Sequence, residues 1–188
     1  MPQKLKFIVV TAWILFSRSY DAYCTHTLTP DLSKEANPLV TAAGVSSWTL
    51  LLIILSALTA YALFAYYSRT FRPMNLHPDE KGLSFSEFVA YQFLGYKDHW
   101  SATLYKLPST FQRFHHYFGA VMIPCLSFAG IVSTAMWILI HYSPAYREIH
   151  TPAPIYIILL AGCALITYFW NRREFVNYQV EIRYFYSN

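Results

Sequence analysis

The sequence predicts an all-α fold, a four-helix transmembrane bundle with one further helix on its cytoplasmic surface. Three observations carry this. Apolar stretches at residues 5–23, 46–67, 117–142 and 155–170 are each about long enough to cross a ~30 Å hydrocarbon layer at ~1.5 Å rise per residue. Of the 14 basic residues, 11 fall in the N-terminal tail, the middle segment 68–116 and the C-terminal tail. Only Lys34 and Arg147 lie in the other two loops, and Arg18 lies inside the first stretch. Short-loop Lys and Arg set orientation, so both ends are expected in the cytoplasm. Aromatic residues make up 19% of the chain and gather near the stretch ends, where amphipathic rings prefer headgroups: Tyr61, Tyr66, Tyr67, Tyr117, Tyr142, Tyr168 and Trp170. The chain therefore reads as one integral membrane domain, 1–188, in a cell membrane and most simply a bacterial inner membrane.

The first stretch opens with Lys4 and Lys6 ahead of an apolar run, as a secretory signal does. Residues 17–24 (S-R-S-Y-D-A-Y-C) lack a small-residue cleavage site, which predicts a permanent helix. The loop that follows, to residue 45, holds Pro30, Pro38 and Gly44, which oppose continuous helix and allow a turn at 31–34. The second stretch ends at Arg69 and Arg72, able to reach inner headgroups, and Pro73 and Pro78 close it.

The middle segment is too long for a plain connection. Ser84 and Glu87 have capping-box spacing, Phe85, Phe88, Val89 and Phe93 recur at helical intervals, and Gly95 supplies a stop. A helix over 83–94 follows, lying on the membrane surface or packed under the bundle, and a shorter element is expected at 108–114. In the third stretch Pro124 predicts a kink, and Gly119, Ala129, Gly130 and Ser133 suit close helix approach. The fourth begins after Pro152 and Pro154 and ends at Asn171-Arg172-Arg173-Glu174. The tail beyond keeps Tyr178, Val180, Ile182, Tyr184, Phe185 and Tyr186, which is too apolar to remain disordered. It is expected to dock on the membrane or on a partner.

Several function classes are disfavoured. No basic run exceeds Arg172-Arg173 and no nucleic-acid motif is present, so no nucleic-acid partner is expected. Cys24, Cys125 and Cys163 have no paired spacing and read as small buried hydrophobes. Walker, dinucleotide and G-x-S-x-G patterns are lacking. The expected partners are the lipid bilayer and either further copies of the chain or other membrane subunits.

The best candidate site is an outward-facing polar cluster. Arg18, Asp21 and Thr25 share one helix face, and Glu35-Ala36-Asn37-Pro38 follow shortly after. An ionisable group in or near hydrocarbon needs a partner, and Arg18 and Asp21 offer each other one. If the loop folds back, Glu35 and Asn37 join them, with Pro38 holding Asn37 extended. On the residues Asp21, Thr25, Glu35, Ala36, Asn37 and Pro38, the D-x3-T … E-A-N-P pattern resembles a group of uncharacterised small prokaryotic multi-pass membrane proteins, over residues 15–66. The resemblance implies a helical membrane fold and no reaction.

No cofactor is expected. The one alternative is a divalent metal at the outer face, held by His26, His141 and His150 with Asp21 and Glu35. None of these has a diagnostic spacing. On the inner side lie His77, His99, His115 and His116. The last two point about 100° apart on a helix, and read as headgroup-level residues. No histidine is central in a span, which disfavours haem. The expected function is a non-enzymatic membrane module, an oligomer or a subunit of a membrane complex. Permeation through an oligomer, with the polar cluster at its mouth, is the second reading, and a metal-dependent lipid hydrolase the third.

Overall fold

A computed structural model describes residues 1–32 and 37–187, with side chains to Ile182. Its elements are α1 (Gln3–Leu28), α2 (Pro38–Thr41), α3 (Trp48–Phe71), α4 (Phe85–Leu94), α5 (Phe111–Tyr142), α6 (Pro144–Ile149) and α7 (Pro152–Ser187), with a 3-10 turn at Trp100–Leu104. Among the described residues there is no strand, and the fold is all-α. Three helices are long and apolar enough to cross a membrane: α3, α5 and the Pro152–Ile182 part of α7. At 26 residues, or ~39 Å, α1 has the length, but Lys4, Lys6, Arg18 and Asp21 dilute its apolar run and it is not among the three.

The helices outrun the apolar stretches that announced them. α5 starts at Phe111, six residues before its apolar run, with Thr110 Oγ1 accepting from the Arg113 amide at 3.3 Å. It remains helical through Pro124. α7 continues well past Trp170, because Phe175, Tyr178 and Ile182 recur at helical spacing and pack on α4. The apolar tail thus finds its first partner within its own chain.

Residues divide into two compact units, and the division falls inside the three long helices. The first comprises Met1–Leu63 and Cys125–Cys163. In it α1 lies against α5: Trp13 Nε1 donates to the Ser127 carbonyl at 3.1 Å, and a Cβ on Gly130 would stand 2.5 Å from Ser17 Oγ. A side chain larger than glycine's would force Ser17 to shift. The short α2, opened by Asn37 and Pro38, lays Leu39 and Val40 on a small core of Leu32, Val45 and Leu51, with Trp48 alongside. Trp48 Nε1 ties to the Thr29 carbonyl at 3.0 Å.

The second unit comprises Phe64–Pro124 and Ala164–Asn188. Here α3 and α5 nearly touch, since a Cβ on Gly119 would meet the Ala65 backbone at 2.6 Å. α4 has the expected cap. Ser84 Oγ accepts from the Glu87 amide at 3.3 Å, while Glu87 Oε2 accepts from the Ser84 amide and hydroxyl, each at 2.8 Å. Those bonds, with Lys97 Nζ at 3.1 Å from Oε1, hold the Glu87 carboxyl down to about 2; the Ser84 amide contributes most. Gly95 ends α4 at φ 87°. Phe88, at the centre of the unit's core, packs with Leu83, Phe175 and Tyr178, and Ala90 and Leu94 pack on Ala102. The middle segment is thus folded, and α4 is covered by protein on two faces.

Candidate functional site

The sequence nominates the cluster around Asp21, and the first unit builds part of it. One turn of α1 brings Arg18 Nη1 to 3.7 Å from Asp21 Oδ2. The other ends of both side chains reach α5. Asp21 Oδ1 accepts from Trp137 Nε1 at 2.7 Å, and Arg18 Nη2 donates to Ser133 Oγ at 3.0 Å. Ser133 Oγ in turn donates to the Gly130 carbonyl at 3.4 Å. Arg18 Nε is buried without a partner. Trp137 was not nominated by sequence, and Ser133 was named there as a residue for close helix approach and not for this cluster. They sit four residues apart and so share a face of α5, but nothing local links that face to α1.

Thr25 turns its hydroxyl to the Asp21 carbonyl of its own helix, at 2.8 Å, and not to the carboxylate. Asn37 caps α2: its Oδ1 accepts from the Leu39 amide at 3.0 Å. Glu35 lies outside the described residues. The structure therefore brings Arg18 and Asp21 together, gives Thr25 and Asn37 backbone partners, and adds Trp137 and Ser133.

The outer histidines stand apart from one another. His26 sets its ring edge against Trp48 at 5.0 Å, His141 lies 4.7 Å from Tyr142, and His150 Nδ1 is 3.3 Å from Tyr146 Oη. Among the described residues no three His, Cys, Asp or Glu side chains form a group able to hold a metal ion.

A second polar centre, not nominated by sequence, lies in the second unit. Arg113 on α5 is buried, and its Nη1 donates to the carbonyls of Leu76, Tyr91 and Gln92 at 3.1, 3.0 and 3.3 Å, with its guanidinium 5.2 Å from the Tyr91 ring centre. It pins the end of α4 and the segment after α3 to α5. His77, in that segment, lies between two carboxylates of α7: Nδ1 is 2.7 Å from Glu181 Oε2 and Nε2 3.5 Å from Glu174 Oε2. The bond to Glu174, then that to Glu181, raises its pKa above the usual imidazole value against the opposing effect of burial. Its two nitrogens address opposite sides of the ring, so the three groups bridge instead of converging on one point.

Beside His77 is a cavity of about 290 Å³ lined by Arg69, residues 73–77, Gln92, His116, Trp170 and Glu174. Arg69, in the last turn of α3, has its guanidinium 5.3 Å from the Trp170 ring centre and one long hydrogen bond, Nη1 to the His116 carbonyl at 3.5 Å. Gln92 is 1% exposed, and its Oε1 is buried without a partner. His116 is 3% exposed and forms part of the cavity wall. The adjacent His115 points away, into Phe111 and Phe64 at 4.4 and 5.5 Å. One signal could have found this centre: Arg69, Arg113 and His116 flank apolar runs at a spacing set by helix ends. Their convergence with Gln92 and Trp170 is long-range.

Comparison of this chain with family models, with curated proteins and with solved structures finds no match.

Proposed function

We propose that the chain is a non-enzymatic multi-pass membrane protein that crosses the bilayer four times with both ends in the cytoplasm. In this reading it acts as a homo-oligomer or as a subunit of a larger membrane complex. The observation that carries the proposal is the uncovered apolar surface of α7. No residue of its most apolar 18-residue window is buried. Ile157 and Leu160 there are 65% and 72% exposed, and α3 and α5 add Ile53, Leu58 and Ile131. Such surface in water is an aggregation hazard; lipid or another protein must cover it.

What supports α1 as a fourth crossing is the treatment of its charges. Arg18 and Asp21 pair with each other and with Ser133 and Trp137, which lowers the cost of taking them into the membrane. The rest of α1 presents Ile8, Leu15 and Phe16 outward. Orientation is supported by the charge distribution. Of the 14 basic residues, 11 fall in the N-terminal tail, the middle segment and the C-terminal tail, which this topology places on one side. The direct bonds from Asp21 and Arg18 to α5 favour a register-fixing role over a vestibule or a metal site. Two measurements test the proposal. Single cysteines at positions 34 and 81 are expected to label only from outside and only from inside, respectively. Mass in detergent or nanodiscs is expected to exceed one chain. Reversed labelling overturns the topology, and a clean monomer with no co-purifying subunit overturns the assembly.

A further inference from the structure

We propose that the loop after α4 is a membrane anchor that sets Leu104, Tyr105, Leu107 and Phe111 into the headgroup boundary of the lipid bilayer. It rests on the membrane reading above, whichever side of the bilayer the unit occupies. These four side chains are between 68% and 86% exposed. The loop that carries them is nonetheless tied down along α4. The Trp100 amide donates to Ser86 Oγ at 3.0 Å, Ala102 is buried on Ala90 and Leu94, and the Ser109 amide donates to the Leu94 carbonyl at 2.7 Å. Its backbone is fixed on the helix while its largest apolar groups stand outside. Apolar groups held out in this way call for a cover.

Position says what that cover is. Phe85, at the start of α4, packs on Tyr168 at 5.8 Å, where the apolar stretch of α7 is ending. Phe93, near the end of α4, packs on Phe114 and Tyr117 at 5.8 and 5.5 Å, where the apolar stretch of α5 begins. Both ends of α4 therefore lie at the level where two apolar helices leave hydrocarbon, and the loop tied to α4 shares it. Phe111 carries the loop directly into α5. Tyr favours headgroup depth, and Leu and Phe beside it reach the acyl boundary. Charge narrows the lipid chemistry. Lys97 is answered by Glu87 at 3.1 Å and Lys106 by Asp98 at 2.6 Å. Apolar contact is left to hold the loop, so a zwitterionic surface suffices.

The test uses the full chain with Cys24, Cys125 and Cys163 replaced by alanine, in phosphatidylcholine nanodiscs. Single cysteines at positions 104, 107, 81 and 131 carry a nitroxide, and the readout is its accessibility to oxygen relative to a water-soluble nickel chelate. Position 81 is the aqueous reference. Its neighbour Glu80 is held through its carbonyl by Tyr178 Oη at 2.6 Å, roughly 15 Å beyond Tyr168 along α7. Position 131, exposed on α5, is the lipid reference. The ratio at 104 and 107 is expected to exceed that at 81 by about threefold or more, and to stay within about twofold when anionic phosphatidylglycerol is added. With the label at 105, Leu104→Ser/Leu107→Ser should lower the ratio by about half, because membrane contact scales with buried apolar area, and leave the melting temperature in detergent unchanged. A lipid signal at 131 with aqueous signals at 104 and 107 overturns the anchor alone. An aqueous signal at 131 overturns the membrane reading and the anchor with it. Shielding of 104 and 107 from both reagents assigns the patch to a second copy or another protein, and overturns the lipid assignment. So does contact that appears only with the anionic lipid.

Discussion

Arg18 and Arg69 make the instructive pair. Each lies on a long helix, but Arg18 in the first unit divides its guanidinium between Asp21 and Ser133, whereas Arg69 in the second meets one distant carbonyl and an indole face. The acid beside Arg18 is itself completed by Trp137. The acids of the second unit instead go to His77, and Glu174 also bears electrostatically on Arg69 beside the cavity. The first arrangement joins two helices, with Arg18 Nε left buried and unpartnered; the second joins the segment after α3 to α7 beside a cavity.

The sharpest way to break the contrast is at Asp21. Asp21→Ala leaves Arg18 without its carboxylate and Trp137 Nε1 without its acceptor. Losing one partner of a fully buried pair costs ~3–5 kcal/mol. With these side chains 27% and 32% accessible, a loss of ~2–3 kcal/mol is expected in denaturant unfolding. Asp21→Asn keeps an acceptor for Trp137 and should cost clearly less. Equal losses would show that charge alone matters and that the tryptophan bond is incidental.

Helix contacts give the next largest effect. Alanine at Gly119 meets the backbone of Ala65, which cannot rotate aside, and should destabilise by ~1–3 kcal/mol. Alanine at Gly130 meets the Ser17 side chain, and should cost less. A reversed order in thermal melts would mean that the α3–α5 approach is softer than its geometry implies.

The acid–base behaviour of the two ends of α4's surroundings is a finer probe. His77 has a folded pKa raised above its unfolded value of about 6.5. Its contribution is therefore fully present below ~6.5 and is lost as pH rises through the raised value. Hydrogen exchange in residues 174–182 should speed up as pH rises through that raised value, beyond the intrinsic rate change, and His77→Gln should abolish the excess. The smallest effect concerns the cap. Ser84→Ala should cost ~1 kcal/mol and fray the first turn of α4. Because Glu87 is depressed to about 2, its part is present above ~4.5 and disappears as pH falls toward 2. An unchanged circular dichroism signal for α4 between pH 5 and pH 2 would contradict this.

How much was legible in the sequence differs by region for one physical reason. The α4 cap was readable because Ser84 and Glu87 interact across three residues of a single turn, and Gly95 marks the stop by its own backbone freedom. The pairing of Arg18 with Asp21 is local in the same sense. The reach of α7 past Trp170 was hidden, because the polar run Asn171–Glu174 reads as a membrane boundary. Only contact with α4 makes helix favourable beyond it. The three strongly apolar helices were plain from composition, while α1, at 26 residues and with more charge, falls short on composition alone.

The sequence by itself determined the all-α class of the described residues, the three strongly apolar helices, the capped α4 and the uneven distribution of basic residues along the chain, since each depends on neighbours within a few turns or on composition. Only the tertiary structure decided that Asp21 is answered by Trp137, 116 residues away, and that His77 takes the carboxylates of α7. It also decided that Arg69, Gln92 and His116 share one cavity. Side-chain partnership across such separations is set by which helix faces pack together, and helical periodicity names a face without naming what it meets.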